Sequence, residues 1–260
     1  MNKQSIRSAA PLVAILAMIA VNAAAVLLPI NGYTTGALSD LNPTGFTPAG
    51  YVFSIWSLIY LGLIVFGFSQ ILASERVRER GRSIHALVLI NAAANAGWIF
   101  AWHYRQVALS LLIMLAILAT LASIYVSLRR QGHPDWREFV MIDGPFSLYL
   151  GWISSATILN LAAAFFDRQS YPFNLSMDEW AVVSVTAAVA LYTWLGTRTR
   201  DVVYCAVFVW ASYGIFSGSQ GIGEPVRMIA ITGTAMTSAL IIWIVATTLV
   251  RRSRTEAVSS

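Results

Sequence analysis

Charged side chains are scarce in this chain: Lys, Arg, Asp and Glu together make up 11% of its 260 residues, whereas 57% are hydrophobic. A soluble globular protein averages about 25% charged residues. So few charges could not cover a folded surface in water, which excludes an ordinary soluble domain. The mean hydropathy of +0.67 agrees, and together these values indicate an integral membrane protein.

Cysteine and histidine are also rare. Cys205 is the single cysteine and has no partner in the chain, which excludes a disulfide framework and a cysteine-based metal site. The three histidines, His85, His103 and His133, fall at a helix start, in an outer loop and in an inner loop of the predicted topology. They cannot meet around one ion, so we predict no metal site and no resident cofactor.

Ionisable residues almost never interrupt the apolar parts of the sequence. Asp143 is followed by Gly144-Pro145, a pattern typical of a helix N-cap, and Glu224 falls in a predicted turn. Ion-coupled transporters usually carry ionisable groups inside the membrane as relays. Their scarcity argues against a proton-coupled carrier, and no Ser, His and Asp arrangement indicates a hydrolase.

Long apolar runs are abundant. Eight of them approach the roughly 17–25 residues that a helix needs to cross a bilayer. They lie near 11–30, 51–73, 84–102, 107–128, 145–166, 179–196, 201–217 and 226–250. The first run is longer than the apolar core of a signal peptide, so we interpret it as a retained helix. The sequence therefore predicts an all-α integral membrane protein with about eight transmembrane helices.

Basic residues lie almost entirely on one side of these runs. With the N-terminus inside, the inner segments hold 14 of the 17 Lys and Arg residues, and the outer segments hold only Arg105, Arg168 and Arg227. This bias is the positive-inside rule. It predicts cytoplasmic N- and C-termini in a bacterial inner membrane, and it explains the net charge of +5 without a nucleic-acid partner.

Aromatic and amide residues recur at helical spacing in the second, third and fifth runs. Trp56 and Tyr60 share a helix face at positions i and i+4. The other two stripes are Asn91, Asn95, Trp98 and Trp102, and Tyr149, Trp152, Ala156 and Asn160. An amide facing lipid is costly, so the stripes face protein or a cavity. Core packing and a shared ligand pocket both explain three such stripes, and residues 31–50, rich in Gly and Pro, are predicted to form an ordered cover.

These residues occur in the order of a known family's motifs. They are Pro43, Phe46 and Pro48 in the loop, Trp56 and Tyr60 in the second helix, Asn95 and Trp98 in the third, and Tyr149, Trp152 and Asn160 in the fifth. From about residue 11 to 166 the chain resembles the TspO/MBR family of translocator proteins and tryptophan-rich sensory proteins. Leu148 replaces the family's proline before the tyrosine, and Pro48-Ala49 replaces its double proline.

The resemblance implies a TspO-like five-helix bundle over residues 1–166, followed here by three additional helices in residues 167–260. It also implies a receptor or translocator, not an enzyme, that binds a flat hydrophobic molecule such as a sterol or a tetrapyrrole (protoporphyrin or haem). The predicted ligand-binding residues are Phe46, Pro48, Trp56, Tyr60, Asn95, Trp98, Tyr149, Trp152 and Asn160. In the family, pocket tryptophans have been linked to porphyrin photo-oxidation, which would involve Trp56 and Trp152 here.

Two alternatives from other classes stay open at this point. One is a secondary transporter of a small solute, in which the last three helices complete the path. The other is a membrane scaffold whose aromatic residues serve packing alone, and a homo-oligomer is compatible with any of these functions. The alternatives differ in one geometric respect: only a ligand-binding protein requires that the three stripes face a common cavity beneath the loop.

Overall fold

The computed structural model describes residues 3–28, 30–42, 44–167, 171–218 and 221–259, excluding the side chains of residues 3–7, 40, 167 and 251–259. Pro43 of the loop motif and Arg168 of the charge pattern lie outside these residues. The described chain consists of α-helices with short 3-10 and π-helical turns, and contains no β-strand. The prediction of an all-α protein is confirmed.

The described residues form eleven α-helices. They are α1 (Lys3–Leu27), α2 (Thr35–Asp40), α3 (Ile55–Leu72), α4 (Glu75–Arg82), α5 (His85–His103), α6 (Val107–Arg130), α7 (Trp136–Glu138), α8 (Gly144–Asp167), α9 (Met177–Thr199), α10 (Val202–Phe216) and α11 (Glu224–Ser259). Seven segments are long and apolar enough to cross a membrane: Ser8–Leu27, Gly50–Leu72, His85–His103, Val107–Arg130, Trp136–Phe166, Met177–Thr199 and Glu224–Val250. α10 is a shorter apolar helix. Together with the seven long segments it gives eight apolar helices in the described chain, so the prediction of about eight is confirmed.

Helix α8 lies at the centre of the bundle. α3 and α6 pack on it from the N-terminal part of the chain, and α9 and α10 pack on it from the C-terminal part. α1 and α5 complete the first group, while α11 packs on α9 and α10. The side chains of Tyr149, Trp152 and Ile153 in α8 are fully buried. α8 is therefore the shared wall between the two predicted parts of the protein.

The helix that contains α8 begins earlier than the sequence pattern predicts. Trp136–Phe166 is one continuous helical segment, and its N-cap is Asp135. The Asp135 carboxylate accepts the backbone N–H groups of Glu138 and Arg137, and these bonds lower its pKa because they stabilise the charged form. The Glu138 side chain completes a capping box by accepting the backbone N–H of Asp135.

A π-helical turn over Phe139–Asp143 joins this start to α8. Pro145 explains the turn, because proline has no N–H and its ring excludes the carbonyl four residues earlier, so the backbone widens. Asp143 consequently lies inside a continuous helix. The prediction that Asp143 caps the fifth membrane helix is wrong.

Asp143 forms an ion pair with Arg80 of α4. The Arg80 Nε and Nη2 atoms donate to the two carboxylate oxygens at 2.8 and 2.7 Å. The side chains are only 6% and 13% exposed, and the hydrogen bond to Asp143 raises the pKa of Arg80. Arg80 Nη2 also lies within hydrogen-bond distance of the Leu128 and Gly132 carbonyls. One guanidinium thus joins α4, α8 and the end of α6.

Asp201 connects the two parts of the chain in a similar way. Its Oδ1 accepts the Tyr204 backbone N–H at 3.0 Å and thereby caps α10. Its Oδ2 accepts from the Ser147 hydroxyl at 2.7 Å, the Tyr125 hydroxyl at 3.0 Å and the Arg129 guanidinium at 3.2 Å. The Asp201 side chain is 5% exposed. A buried carboxylate with four donors therefore holds α6 and α8 against α10.

The substitution Asp201→Asn tests this connection. The amide keeps the size of the carboxylate but loses its charge, and it presents an NH₂ group to neighbours that are themselves donors. We expect a loss of about 2 kcal/mol in the free energy of unfolding, the scale of hydrogen bonds to a charged group. Thermal unfolding in detergent measures it. Asp178→Asn, at an exposed position in α9, is the matched control and should leave the transition almost unchanged.

Candidate ligand-binding site

The loop after α1 is ordered in its described residues and docks first on the end of α5. Thr34 is the N-cap of α2, and its hydroxyl accepts the Ala37 N–H at 3.2 Å. The Asn31 amide donates to the His103 carbonyl at 3.0 Å, and the Trp102 indole N–H reaches the Thr35 carbonyl at 3.5 Å. These contacts place α2 over the space between α1 and α5.

The second half of the loop is hydrogen-bonded to α10. The Ala49 N–H donates to the Gly214 carbonyl at 3.0 Å, and the Trp210 indole N–H donates to the Val52 carbonyl at 2.9 Å. Gly214 permits this approach, because a Cβ atom there would lie 2.1 Å from a methyl carbon of Val52. Helices that the resemblance treats as additional therefore hold the loop in place.

Phe46, a predicted ligand-binding residue, belongs to this attachment. Its ring is 3% exposed and packs in an apolar cluster that includes Ala181 and Val185 of α9 and Ile215 of α10. The adjoining Gly45 has φ of +74°, a conformation that favours glycine and directs the chain into this contact. Phe46 thus attaches the loop to α9 and α10, and it does not line the space beneath the loop.

A cavity of about 650 Å³ lies beneath the loop, and we call it the aromatic cavity. Its walls come from α1, α3, α5 and α8, with Met114 of α6, and its roof comes from the described loop residues. Six of the nine predicted residues line it: Pro48, Trp56, Tyr60, Trp98, Trp152 and Asn160. The aromatic residues of α3, α5 and α8 therefore do face a common space.

The rings form two stacked pairs with an edge contact between helices. Trp56 and Tyr60 stack with centroids 5.4 Å apart, and Trp98 and Trp102 stack at 5.6 Å. Trp56 meets Trp152 edge to face at 6.2 Å. Such arrangements are the favourable geometries of aromatic pairs. They give the cavity flat, apolar walls on which a planar molecule can lie.

Asn160 lines the cavity, but its polar atoms are already engaged. Its Oδ1 accepts the Trp98 indole N–H at 2.9 Å, and its Nδ2 donates to the Ser110 hydroxyl at 3.1 Å. The Ser110 hydroxyl donates in turn to the Val107 carbonyl at 2.7 Å. The Asn160 amide therefore fixes the orientation of the Trp98 ring within the wall.

Asn95 and Tyr149 do not line the aromatic cavity. Asn95 is 2% exposed, donates to the Tyr149 hydroxyl at 2.6 Å and accepts from the Asn22 amide at 2.8 Å. Buried amides need such partners because an unpaired polar group in an apolar interior is costly. This chain of hydrogen bonds joins α5, α8 and α1 behind the wall. Asn91 faces yet another way, toward Thr120 of α6.

Trp152 contributes the one polar atom of the aromatic wall that is buried without a partner. The residue is 1% exposed, and its indole N–H has no acceptor among the described residues. Phe53 and Trp56 flank its ring edge to face at 5.8 and 6.2 Å. A buried donor without an acceptor costs about 1–3 kcal/mol. The indole nitrogen has almost no surface accessible from the cavity, so a molecule in the cavity does not accept this N–H and the cost falls on the stability of the fold.

No charged side chain lines the cavity among the described residues. Its polar lining consists of amides, hydroxyls and indole N–H groups, and the loop contributes more of them than any single membrane helix. Sequence reasoning did not assign several of these to the site, including Asn22, Trp102 and the loop residues Thr35, Thr44 and Thr47. Two of these residues could have been found from the sequence, because Asn22 is an amide in an apolar run and Trp102 belongs to a predicted stripe. Nothing in the sequence distinguishes the loop threonines as lining residues.

A helical membrane bundle with an aromatic cavity under an ordered loop defines a ligand-binding or translocator type of membrane protein. A family model described as TSPO-like protein matches residues 8–246, so the chain belongs to the TSPO-like protein family. The resemblance seen in the sequence is thereby confirmed, and the match includes α9 and α10 and ends within α11. No curated protein and no solved structure matches the chain.

Proposed function

We propose that this protein is a membrane receptor or translocator that binds a flat, largely apolar ligand in the aromatic cavity. The ligand class is tetrapyrrole or sterol-like. The roofed space of about 650 Å³, with tryptophan and tyrosine rings from three helices around it, is the observation that carries the proposal. Ligand sites are typically apolar hollows of this size with a few placed polar groups.

The lining restricts which ligand groups can be buried in the aromatic cavity. No charged residue is available among the described lining residues to pair with a buried ligand charge, and burying an unpaired charge is costly. A sterol with one ketone or hydroxyl group can enter completely. A porphyrin has to leave its two propionates at the loop, where the hydroxyls of Thr44 and Thr47 lie 3.0 Å apart.

The lining also favours binding over catalysis. Neither a nucleophile paired with a base nor a carboxylate faces the aromatic cavity in the part of the chain described. Porphyrin photo-oxidation would need light, dioxygen as the oxidant and a porphyrin lying against the rings of Trp56 and Trp152, and it would need no acid, base or nucleophile from the protein. We infer from the distribution of basic residues that the loop faces outward from a bacterial inner membrane, with both termini in the cytoplasm.

Titration of the full chain in lipid nanodiscs tests the proposal. We expect protoporphyrin and a neutral steroid ketone each to quench tryptophan fluorescence along a saturable curve and to compete with each other. Linear quenching without saturation, or two ligands that do not compete, would contradict a shared enclosed site.

The two alternative functions give different outcomes in the same preparations. A secondary transporter of a small solute should accumulate that solute in sealed vesicles when an ion gradient is imposed. A scaffold with packing aromatics should lose stability in each Trp→Phe variant and bind neither ligand saturably. The aromatic cavity favours the receptor or translocator, because neither alternative requires a roofed space of this composition.

A further inference from the structure

A small second cavity lies beside the aromatic cavity, between α8, α9 and α10. Its volume is about 30 Å³, and we call it the side chamber. Helices α9 and α10 lie outside the five-helix part of the resemblance, yet they supply much of its wall. Its lining includes Phe46 of the loop, Ile158 of α8, Val185 and Ala188 of α9, and Phe208 and Ala211 of α10.

The side chamber and the aromatic cavity have three lining residues in common. Pro48, Trp152 and Leu159 border both spaces. Because the same side chains line both, no further layer of residues separates the two spaces at this point. A ligand in the aromatic cavity therefore lies one side chain away from the side chamber.

Trp152 is the largest of these three side chains, and no hydrogen bond fixes its orientation. Its indole N–H has no acceptor within the described chain. By contrast, the Trp98 N–H donates to Asn160, and the Trp210 N–H donates to the Val52 carbonyl. The recorded ring contacts of Trp152 are edge-to-face contacts with two aromatic neighbours. Displacing this ring therefore breaks no hydrogen bond.

The polar groups of the side chamber are mostly engaged elsewhere. The Ser155 hydroxyl pairs with the Tyr192 hydroxyl at 2.8 Å. The Ser212 hydroxyl donates to the Ala230 carbonyl at 2.7 Å. Ser184 is the remaining lining residue with a hydroxyl group. A buried water molecule needs about two to four polar partners, so this lining suits an apolar occupant better than water.

The size of the side chamber limits what it can hold. About 10–15 Å³ of such space is enough for one water molecule. The side chamber, at about 30 Å³, therefore has room for a group of about two heavy atoms. A vinyl or an ethyl group has this size, whereas a ring does not fit.

We propose that the side chamber is a subsite of the aromatic cavity that receives a short apolar branch of the ligand, past a displaced Trp152 ring. This inference rests on the proposed function and narrows its ligand class to flat molecules with a substituent of about two carbon atoms. It assigns α9 and α10 a role in selecting the ligand. Phe46, which does not line the aromatic cavity, contacts the branch within the subsite.

The test compares protoporphyrin with deuteroporphyrin, which has hydrogen atoms in place of the two vinyl groups. Each is titrated against the full chain in lipid nanodiscs, with tryptophan fluorescence as the readout. Ala211→Leu fills the side chamber with the added carbon atoms. We expect it to lower the preference for protoporphyrin over deuteroporphyrin about tenfold, the effect of burying about two carbon atoms, with the affinity for deuteroporphyrin unchanged.

Two further variants accompany this test. Ala206→Leu is the matched control, because Ala206 is exposed on the same helix and does not line the side chamber, so the preference of the parent protein should persist. Ala188→Val fills the side chamber from α9 with a smaller side chain and should also lower the preference. Thermal unfolding establishes that each variant is folded.

The outcomes separate this inference from the proposed function. If both porphyrins bind saturably and neither filled variant changes their relative affinity, the subsite is refuted and the aromatic cavity remains the binding site. An equal fall of the preference in Ala206→Leu and Ala211→Leu would also refute the subsite. If neither porphyrin binds the parent protein saturably, the proposed function itself is refuted, and the subsite with it.

Discussion

Replacing Ala156 by Trp should abolish saturable binding of protoporphyrin and of the steroid ketone. Ala156 lies in the wall of the aromatic cavity, on α8 between Trp152 and Asn160. An indole at this position projects into the space that a ligand has to occupy. We expect an affinity loss of at least about a hundredfold, equivalent to about 2.8 kcal/mol, measured by fluorescence titration in nanodiscs.

Ala119→Trp is the control for this variant. Ala119 is exposed on α6, away from the aromatic cavity, and the substitution also raises the tryptophan count from nine to ten. The two variants therefore have the same number of fluorophores and differ in whether the new ring enters the cavity. Ligand affinities that are equal in Ala156→Trp and Ala119→Trp would place the ligand outside the cavity and refute the proposed function.

Removing the Arg80 guanidinium should cause the largest loss of stability. Arg80→Ala leaves the Asp143 carboxylate, 13% exposed, without its ion pair. Breaking one side of a buried pair is far more costly than removing both, because the remaining charge is desolvated and unpaired. We expect a loss of about 3 kcal/mol in the free energy of unfolding, measured by titration with denaturing detergent.

Two companion variants isolate the cause of that loss. In Arg80→Met with Asp143→Leu no charge is left unpaired, so much of the stability should return. Arg82→Ala removes another arginine of α4, one whose pairing with Glu75 is exposed to solvent, and should leave the unfolding curve unchanged. If Arg80→Ala were no more destabilising than Arg82→Ala, the buried pair would have no structural importance.

Tryptophan and asparagine residues at helical spacing indicated the aromatic cavity from the sequence, but not all of them line it. Trp56, Trp98 and Trp152 line the aromatic cavity as predicted, while Asn95 and Tyr149, from the same stripes, are bonded to each other behind its wall. A stripe at spacing i, i+3 and i+4 covers a broad arc of the helix surface. Part of that arc faces the cavity and part faces a neighbouring helix, and spacing alone does not separate the two.

Phe46 shows a second limit of the sequence pattern. A loop aromatic before a proline is expected to face the ligand, but in this protein it packs against α9 and α10. α10 also accepts the Ala49 N–H and donates to the Val52 carbonyl. The partners lie more than 100 residues away in the chain, so no local signal reports the contact.

By itself, the sequence determined that this is an all-α membrane protein and which segments form its apolar helices. These properties are local, because each apolar helix satisfies its own backbone hydrogen bonds in lipid. Only the tertiary structure decided which side chains enclose a space, which pair behind it, and that the last helices hold the loop. Such choices depend on partners distant in the chain, since a polar or aromatic group can be satisfied equally well by a neighbouring helix or by a ligand.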